Sequence, residues 1–568
     1  MKKFLLAISI LLMLTSPAWG ATFYIDSSCG SSGDGTTPTC GAQGPFKTAA
    51  EIKWVGGNSY LFKGGVNVST IGMNPHSSII TVGASGTAGN PITIGSYGTG
   101  QAILNGGITI NTSSWVDNDP VAGVYSYTTP WGAQLLWEDS VPLKHASDKT
   151  CANGNWWADG ATIFYKPTTG TISDHVVETY HLVGVDTNNH NYITIDGLTF
   201  TKLYYGVANK IPSQINASHI IVNNCRFTNS QRGIFLVNNN DVDGSIKISS
   251  STFDYVGSSI MIGGFGVSAN VDISYNTITH CSQVYGAIGY EWFDAMSVFT
   301  DIEGIGVQNL THSNIYKNKI TGICRGIYPY ASGAKTSHDV NIYQNYISTA
   351  RVGLLFLPSF LTTSYYNINA YYNVLENCGA IESMSRNSAV VISTINTPTG
   401  EWNNLSNNTI VGSPYGIFVI PRTGYTDMYW KIKNNIIYNT INKHVYEVPN
   451  ATPTNIVYDY NLYYPDKADA FYTKIGSNET FAQWKAIDGY RDALSPKPAN
   501  PLFVSATNFN LQSASPAIKA GANVSGVHDV VGISDYADQS VYNMSYPDIG
   551  AYTYIKTVSS PKNLRIDK

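Results

Sequence analysis

The sequence predicts an all-β solenoid, in which the chain winds into stacked coils, from three features. An Asn or a small residue, followed by a hydrophobic residue, recurs with steps of 27, 27, 25, 42, 27, 28, 35 and 27 residues, and a fixed period of this size is typical of solenoids. Apolar and polar residues alternate before each recurring position, as in a strand. No segment between these positions carries the period of a helix. The recurring positions are Gly197, Asn224, Ser251, Asn276, Asn318, Asn345, Asn373, Asn408 and Asn435.

Each coil is expected to contain two or three short strands. The text around the recurring position is similar from coil to coil, as in YITIDGLTF (192–200) and DVNIYQNYI (339–347), and a glycine such as Gly206 or Gly326 opens a further strand eight or nine residues later. Stacking would place parallel strands about 4.8 Å apart and bury the apolar face that one coil cannot bury alone.

The asparagines at the recurring corner are expected to form a ladder of hydrogen bonds. Asn tolerates left-handed backbone, and its amide can bond to the amides above and below it. Ligand binding and glycosylation are the alternative roles for these side chains, but their positions follow the period of the chain rather than a local cluster.

The N-terminus reads as a secretory signal peptide over residues 1–20. Lys2 and Lys3 precede an apolar stretch (4–14), and small residues follow it at a cleavage site, which is the pattern of a signal rather than of a membrane span. We therefore expect a bacterial protein that is secreted, periplasmic or at the cell surface, with no membrane contact after cleavage. In such a protein Cys29 and Cys40, which flank a Gly-, Ser- and Thr-rich loop, are expected to form a disulfide.

The composition excludes one class of partner. The formal net charge is −5 and only 12% of residues are charged, so the chain lacks the basic footprint of a nucleic-acid-binding protein. A local basic cleft for an acidic polysaccharide remains compatible with this balance. We expect a monomer.

The period organises the chain as one elongated domain with one insertion. The segment 111–190 breaks the period and is expected to form a small antiparallel β insertion, with Trp156 and Trp157 exposed. The stretch 479–487 is the only helix-like one. The predicted parts are a signal peptide (1–20), an N-terminal cap and first coils (21–110), the β insertion (111–190), regular coils (191–465), C-terminal coils and cap (466–556) and a tail (557–568).

Three further stretches carry a resemblance to a known family. They are FYIDSSCGSSGDGTTPTCGAQGPFKT (23–48), GTAGNPITIGSYGTGQAILNGG (86–107), and NFNLQSASPAIKAGANV (508–524) followed by PDIGAYTY (547–554). With the repeats, they resemble the opening, first-coil and closing segments of the pectate-lyase-like family. The resemblance covers about residues 23–555 and implies a right-handed parallel β-helix solenoid. The family includes lyases, hydrolases, epimerases, phage tailspikes and adhesins, so the resemblance implies the fold and leaves the activity open.

The candidate catalytic residues lie in and after the 42-residue step. Asp301 and Glu303 are two apart on a predicted strand and should face the same side. They could bind Ca²⁺, the only cofactor that the sequence suggests, or act as the acid and base of glycosidic-bond cleavage. Arg325, Lys335 and His338 follow in the next coil and could neutralise or deprotonate an acidic sugar. Further candidates for substrate contacts are Glu291, Asp294, Tyr328, Tyr330, Arg351, Glu382 and Arg386.

Two structural alternatives apply to these residues. The acids could cap a loop or hold a structural ion. A column of arginines could run along one edge, because Arg232, Arg325 and Arg351 each precede or nearly precede a strand-opening glycine. Such a column is either a common structural feature of solenoids or a groove for a polyanion.

One more resemblance concerns the acidic pair itself. Asp301-Ile302-Glu303 is similar to the paired calcium ligands of β-helix enzymes of the alginate-lyase and chondroitinase-B type. In that family a catalytic Lys follows the second acid by five residues, where this chain has Gln308, and the family's Arg falls near Tyr330 or Ala331. The lyase mechanism is therefore not carried over. The paired-Asp text of polygalacturonases and the D-P-H motif of mannuronan epimerases are also missing from the sequence.

These observations predict an exported β-helix protein that acts on polysaccharide. It would cleave a glycosidic bond, by hydrolysis or elimination, in a groove beside residues 291–339. The alternative is a non-catalytic carbohydrate-binding protein or a cell-surface structural protein of the adhesin type, with the tryptophan pair of the insertion as a contact.

Overall fold

The structure, a computed structural model, shows coils of parallel strands over most of the chain. It describes residues 20–68, 77–117, 121–129, 135–146, 148–180, 182–209, 217–238, 244–264, 266–281, 303–322, 325–331, 335–357, 364–379, 387–393, 397–398, 400–420, 427–448, 454–473, 476–487, 491–528 and 533–555.

Three parallel sheets, here called A, B and C, form the walls of the solenoid, and a regular coil contributes a strand to each in that order. Sheet A contains Thr22–Ile25, Ser59–Lys63, Ile92–Tyr97, Ile193–Asp196, Ile220–Asn223, Ile246–Ser249, Val271–Ser274, Leu310–Tyr316, Thr336–Tyr343, Ser364–Tyr371, Asn403–Ser406, Asp427–Lys433 and Thr454–Asp459, with Ser268–Ala269 beside Leu310–Tyr316.

Sheets B and C are joined through two long strands, Arg226–Val237 and Thr252–Gly263, whose first parts lie in B and whose last parts lie in C. The other strands of B are Ala102–Asn105, Leu198–Thr201, Thr277–Cys281, Lys319–Gly322, Tyr346–Ser348, Val374–Glu376, Thr409–Val411, Ile436–Tyr438 and Leu462–Tyr464. The other strands of C are Ser78–Thr81, Val183–Asp186, Tyr205–Ala208, Glu303–Gln308, Arg325–Tyr330, Val352–Phe356, Ser388–Ser393, Tyr415–Ile420, Lys443–Glu447 and Phe471–Tyr472, with Asn478–Glu479 antiparallel to the last.

The corner between sheets A and B carries the predicted asparagine ladder, which is confirmed. The backbone N–H and the Nδ2 of Asn318 both donate to Oδ1 of Asn345, at 3.0 Å each. The same two bonds join each neighbouring pair, and every member is buried. The ladder consists of Asn276, Asn318, Asn345, Asn373, Asn408, Asn435 and Asn461. The amides thus provide hydrogen-bond partners for backbone groups that would otherwise be unpaired at a buried corner.

Two of the recurring positions were assigned one residue too early. Strand register places Leu198 and Cys225 in the ladder row. Gly197 and Asn224 precede that row, with φ of 66° and 50°. Each coil needs a left-handed residue just before the ladder position, and Gly and Asn adopt that conformation most readily. The sequence pattern therefore caught the turn residue in these two coils rather than the ladder residue.

The apolar core fills the interior of the solenoid as one continuous cluster. Each strand of sheet C contributes one inward apolar residue in register with the next, including Ile234, Ile260, Ile305, Ile327, Leu354, Val390, Ile417 and Val445. Burial of these side chains on successive coils is what stabilises a solenoid, since no coil has a core of its own.

The antiparallel insertion lies between sheet B and sheet C of an early coil. One sheet contains Gly107–Thr109, Val177–Tyr180, Leu136–Glu138 and Val141–Pro142, and the other contains Val116–Asp117, Tyr125–Thr128, Thr162–Lys166, Asn155–Asp159 and Lys144–His145. The prediction that Trp156 is exposed is wrong, because it is 1% exposed in the insertion's own core with Leu136 and Tyr165. Trp157, on the other side of the same strand, is half-buried.

The remaining elements are short. They are the 3₁₀ helices Ala49–Glu51, Thr112–Ser114 and Ile172–Asp174, the α-helix Phe481–Ala486, and the hairpin of Phe503–Ser505 and Asn508–Leu511. Cys29 and Cys40 form a disulfide in the N-terminal cap. Within the described part of the chain, no helix has the length and apolar character needed to cross a membrane.

Candidate functional site

The candidate site lies on the outer face of sheet C. The antiparallel insertion leaves the solenoid at the corner between sheets B and C, before Val183–Asp186. An insertion that leaves the solenoid at this corner borders the outer face of sheet C, and functional sites are common beside such insertions.

One row of outward residues on this face is large from Phe235 onward, except at a single coil. The residue after each inward apolar side chain is large on most strands and is a glycine at position 306. The row reads Phe235, Met261, Gly306, Tyr328, Leu355, Val391, Phe418, Tyr446 and Tyr472. Gly306 therefore leaves a notch between Met261 and Tyr328.

Glu303 lies in this notch. Gly306 lies between Ile305 and Val307, which are both fully buried in the core, so it faces outward. A Cβ on Gly306 would lie 3.1 Å from Glu303 Cγ, which is closer than side-chain atoms normally pack. Glu303 is 1% exposed. The carboxylate is thus on the outside of sheet C, yet covered, and the glycine at 306 provides the space for it.

Arg325 occupies the same position as Glu303 on the next coil. Its Nη1 donates to Glu303 Oε1 at 3.1 Å, and its guanidinium lies 5.3 Å from the centre of the Tyr328 ring. Tyr328 stacks on Tyr330 at 4.7 Å and donates its hydroxyl to the Leu357 carbonyl. A charge-assisted bond between largely buried groups is strong and directional, so the carboxylate and the guanidinium hold each other in a fixed orientation.

A second arginine flanks the carboxylate from the other side. Arg232 lies in register with Ser258. Ser258 is two residues before Ile260, and Glu303 is two residues before Ile305, the partner of Ile260 on the next coil, so Glu303 follows Arg232 by two coils. The Arg232 guanidinium lies over the ring of Phe235, at 4.7 Å, and over that of Tyr205. At strand spacing, Arg232 and Arg325 are roughly 14 Å apart along the rod. Two positive groups therefore bracket the one carboxylate at this register position of the described strands.

The predicted arginine column is only partly present. Val352, and not Arg351, lies opposite Arg325. Arg351 precedes the strand by one residue and stands outside the row, because it lies two residues before its glycine, whereas Arg232 and Arg325 lie one residue before theirs.

Lys335 and His338 do not join this group. They follow the strand Arg325–Tyr330, which is about 17 Å long at strand rise, and lie beyond the corner that leads into sheet A. The His338 ring stacks on Tyr366 at 4.8 Å. Proximity in sequence suggested a shared site, but the corner between sheets C and A intervenes.

The remaining predicted residues cannot be placed. Asp301, the partner proposed for Glu303, lies outside the residues that the structure describes, and so do Glu291, Asp294, Glu382 and Arg386. Calcium binding by Asp301 and Glu303 stays a prediction. Oε1 of Glu303 is already engaged by Arg325, so a cation there would share the carboxylate with a guanidinium.

The notch was missed from the sequence, although a signal for it exists, whereas Arg232 was anticipated as a member of the arginine column. The strand openings read Gly-Ile-Phe (233–235), Gly-Ile-Tyr (326–328) and Gly-Ile-Phe (416–418), whereas 304–306 reads Gly-Ile-Gly. Comparing the third position of these triplets would have identified Gly306.

Comparison with known proteins bears on the fold. No protein-family model and no curated protein sequence matches the chain. The structure of XylC with xylose is similar, with a TM-score of 0.51, 13% identity, and coverage of 78% of this chain and 83% of that one. A glycoside hydrolase structure (TM-score 0.40, 11% identity, coverage 78% and 95%) and pectate lyase Pel9A (TM-score 0.37, 13% identity, coverage 95% and 98%) are also similar. The three stacked sheets and the likeness to XylC identify the fold as a right-handed parallel β-helix.

Proposed function

We propose that the protein acts on a polysaccharide that lies along the outer face of sheet C, with Glu303 at the reacting position. The observation that carries the proposal is the buried, outward Glu303 carboxylate in the notch at Gly306, held by Arg325. A chain of sugars running along the rod would cross one coil after another and meet Arg232, Glu303 and Arg325 in turn. XylC, which shares the fold, has been solved with the sugar xylose, and this supports a carbohydrate as the ligand class.

The chemistry of the site favours glycosidic-bond cleavage. As the anionic half of an ion pair, Glu303 suits the role of base or nucleophile, and a second carboxyl would protonate the leaving oxygen. Asp301, two residues earlier, is our candidate for that second carboxyl. The guanidiniums of Arg232 and Arg325 would bind the carboxylate of an acidic sugar.

The residue at position 308 favours hydrolysis over elimination. Gln308 accepts a hydrogen bond from the Gly264 backbone N–H at 3.1 Å, so it ties a loop to the sheet and offers no base. Elimination stays an alternative, with Ca²⁺ at Asp301 and Glu303 as the group that would neutralise the sugar carboxylate. Export after removal of residues 1–20 is likewise a part of the proposal that comes from the sequence.

The test is an activity screen of the mature chain, 21–568, with a matched pair of variants. Uronate-containing and neutral polysaccharides are incubated with and without Ca²⁺, while both reducing ends and the ultraviolet absorbance of unsaturated products are followed. We expect reducing ends without absorbance. Glu303→Gln should lower the rate by about 10²–10⁴-fold, as expected for loss of an acid–base group.

The control is Glu376→Gln. Glu376 is a half-buried glutamate on sheet B that accepts a hydrogen bond from Tyr346, and its substitution should leave the rate unchanged. A folded Glu303→Gln variant with the full rate would overturn the role of Glu303. Unsaturated products would replace hydrolysis by elimination.

Non-catalytic binding is the second candidate, and the Glu303–Arg325 pair itself favours it. A carboxylate held by a guanidinium can serve to orient that guanidinium toward an anionic ligand. In that case no substrate would be cleaved, but Arg232→Ala would weaken polysaccharide binding while Arg226→Ala, on an exposed position of sheet B, would not.

A further inference from the structure

Two histidines and one aspartate converge at the corner between sheets C and A. Thr311 pairs with His338, so His312 lies opposite Asp339 on the next coil. Asp339 Oδ2 is 2.8 Å from His338 Nδ1 and 3.4 Å from His312 Nε2. One donor atom from each of the three residues lies within 4.8 Å of the other two.

The surrounding residues fix the orientation of these donors. Asn367, on the third coil, donates Nδ2 to the other oxygen of Asp339, Oδ1, so Oδ2 is the atom directed at both imidazoles. Tyr366 stacks on one face of the His338 ring, with the two planes 1° apart. Orienting partners of this kind are typical of residues that bind metals.

The backbone at this corner is left-handed, as it is at the same corner of earlier coils, where Tyr192, His219 and Asn270 stand. His312, Asp339 and Asn367 all have left-handed φ values, of 49°, 55° and 52°, which cost energy for residues with a side chain. The left-handed residue is what turns three successive side chains to the same place. Partial burial would raise the pKa of the Asp339 carboxyl, but hydrogen bonds from Asn367 and His338 outweigh it and hold that pKa below its usual value.

We propose that His312, His338 and Asp339 bind a divalent first-row transition metal, Zn²⁺ in the first instance. Two imidazoles and one carboxylate suit Zn²⁺, Co²⁺, Ni²⁺ or Cu²⁺, whereas Ca²⁺ and Mg²⁺ prefer oxygen donors alone. In a tetrahedral zinc site with bonds of about 2.0–2.1 Å, ligand atoms are roughly 3.3–3.4 Å apart, and Oδ2 of Asp339 lies at comparable distances of 2.8 and 3.4 Å from the two imidazole nitrogens.

The proposed site is accessible and distinct from Glu303. The His312 side chain is 61% exposed, so metal can enter and water can complete its coordination. A metal bound here would tie two consecutive coils together at a corner that the Glu303–Arg325 pair does not reach.

The described residues offer a close internal comparison. His280 is 2.7 Å from Asp254 and stacks on Tyr255 at 4.3 Å, which reproduces the His–Asp bond and the stacked tyrosine. No second imidazole belongs to this group among the described residues. His280 is therefore the matched control for a site that requires two imidazoles.

Another cluster of potential ligands among the described residues fits a metal less well. It contains Glu138, Asp139 and His175. The cluster has one imidazole rather than two, and both oxygens of Glu138 already accept hydrogen bonds, from Tyr165 and from the side chain and backbone of Thr168. A metal bound through Glu138 would have to displace these bonds.

The experiment is metal titration of tag-free, chelator-treated full-length protein. Zn²⁺ binding is followed by calorimetry, and Co²⁺ binding by its visible absorption. We expect one equivalent of metal per chain. His312→Ala and Asp339→Asn should each weaken Zn²⁺ by about 100-fold or more, and Asn367→Ala by about 10-fold, as for loss of an orienting partner. His280→Ala should bind as the wild type does.

Circular dichroism establishes that each variant is folded, and His338→Gln replaces any that is not. The proposal is overturned if the wild type takes up no metal, or if His280→Ala weakens binding as much as His312→Ala. Because the readout is metal binding, the result does not depend on whether Glu303 has the proposed catalytic role.

Discussion

Replacing Asn345 with alanine should destabilise the protein by about 3 kcal/mol or more, one of the two largest effects that we expect. Asn345 is fully buried. Its Oδ1 accepts from the backbone and side chain of Asn318, and its Nδ2 donates to the Ile315 carbonyl at 2.9 Å and to Asn373 Oδ1 at 3.0 Å. Each buried polar group left without a partner costs about 1–3 kcal/mol, and alanine at this position would leave several such groups without a partner.

The measurement is equilibrium denaturation in urea, and Asn341→Ala is the control. Asn341 lies on the outer side of the preceding strand, Thr336–Tyr343, half-buried, where it bonds to Asn314 and Asn369. Water can replace its bonds, so the expected loss is about 1 kcal/mol. Equal losses for the two variants would contradict the view that the buried ladder, rather than side-chain amides in general, stabilises the coils.

The second large effect is a pH dependence that His444 introduces. The residue is buried between sheet C and the chain that follows it. Burial lowers the pKa of His444 from 6.5 to about 4, with a further lowering by Lys467, against the opposing effects of the Pro465 carbonyl and Asp469. Nδ1 faces the Thr440 hydroxyl at 2.9 Å and Nε2 faces the Pro465 carbonyl at 2.9 Å, which suits the neutral ring with its proton on Nε2.

The sign of the effect follows from the direction of the shift. Above pH 6.5 neither the folded nor the unfolded chain binds a proton at His444. As the pH falls from 6.5 to about 4, the unfolded chain takes up a proton that the folded chain does not. The free energy of unfolding should therefore fall by about 3 kcal/mol across this window, and no further below it.

His444→Gln isolates this contribution, because glutamine is polar but does not titrate. Urea denaturation of both proteins at about pH 7 and about pH 4.5 gives the difference between them, in which the other titrating groups cancel. The advantage of the wild type should shrink by about 2–3 kcal/mol at the lower pH. An advantage that is independent of pH would show that the ring is protonated, or freely solvated, in the folded state.

Much of the fold could be predicted because a solenoid repeats its local chemistry. The alternating apolar residues recur in every regular coil and the corner asparagines in most of them, so an error in one coil is corrected by the next. The limits appear where two residue types serve adjacent positions. Gly197 and Asn224 satisfy the left-handed turn, and only the strand register distinguishes that position from the ladder. Asn461, 26 residues after Asn435, was also missed.

The site was less predictable, because side chains converge there through stacking and corners. Glu303 and Arg325 could be anticipated as neighbours, since stacking brings successive strands of one sheet together. His338 follows the same strand but lies beyond a corner, where it meets His312 instead. The burial of Trp156 depends on the small separate core of the insertion. This core does not follow the period of the coils and could not be predicted from it.

The asparagine ladder has a direction, and this bears on how the rod could be shortened or extended. Every Nδ2 donates toward the C-terminal coil, and the last one, of Asn461, donates to Asp492 Oδ1 at 3.1 Å. Asp492 also accepts from Ser495, Trp484 and Tyr463, so it acts as a terminal acceptor built into the cap. Removing one whole coil, from one ladder residue to the next, would keep every donor supplied. Coils grafted from another protein after Asn461 would need their own acceptor for the Asn461 side chain. The segment around Asp492 is therefore a connector that must be retained when coils of this rod are exchanged.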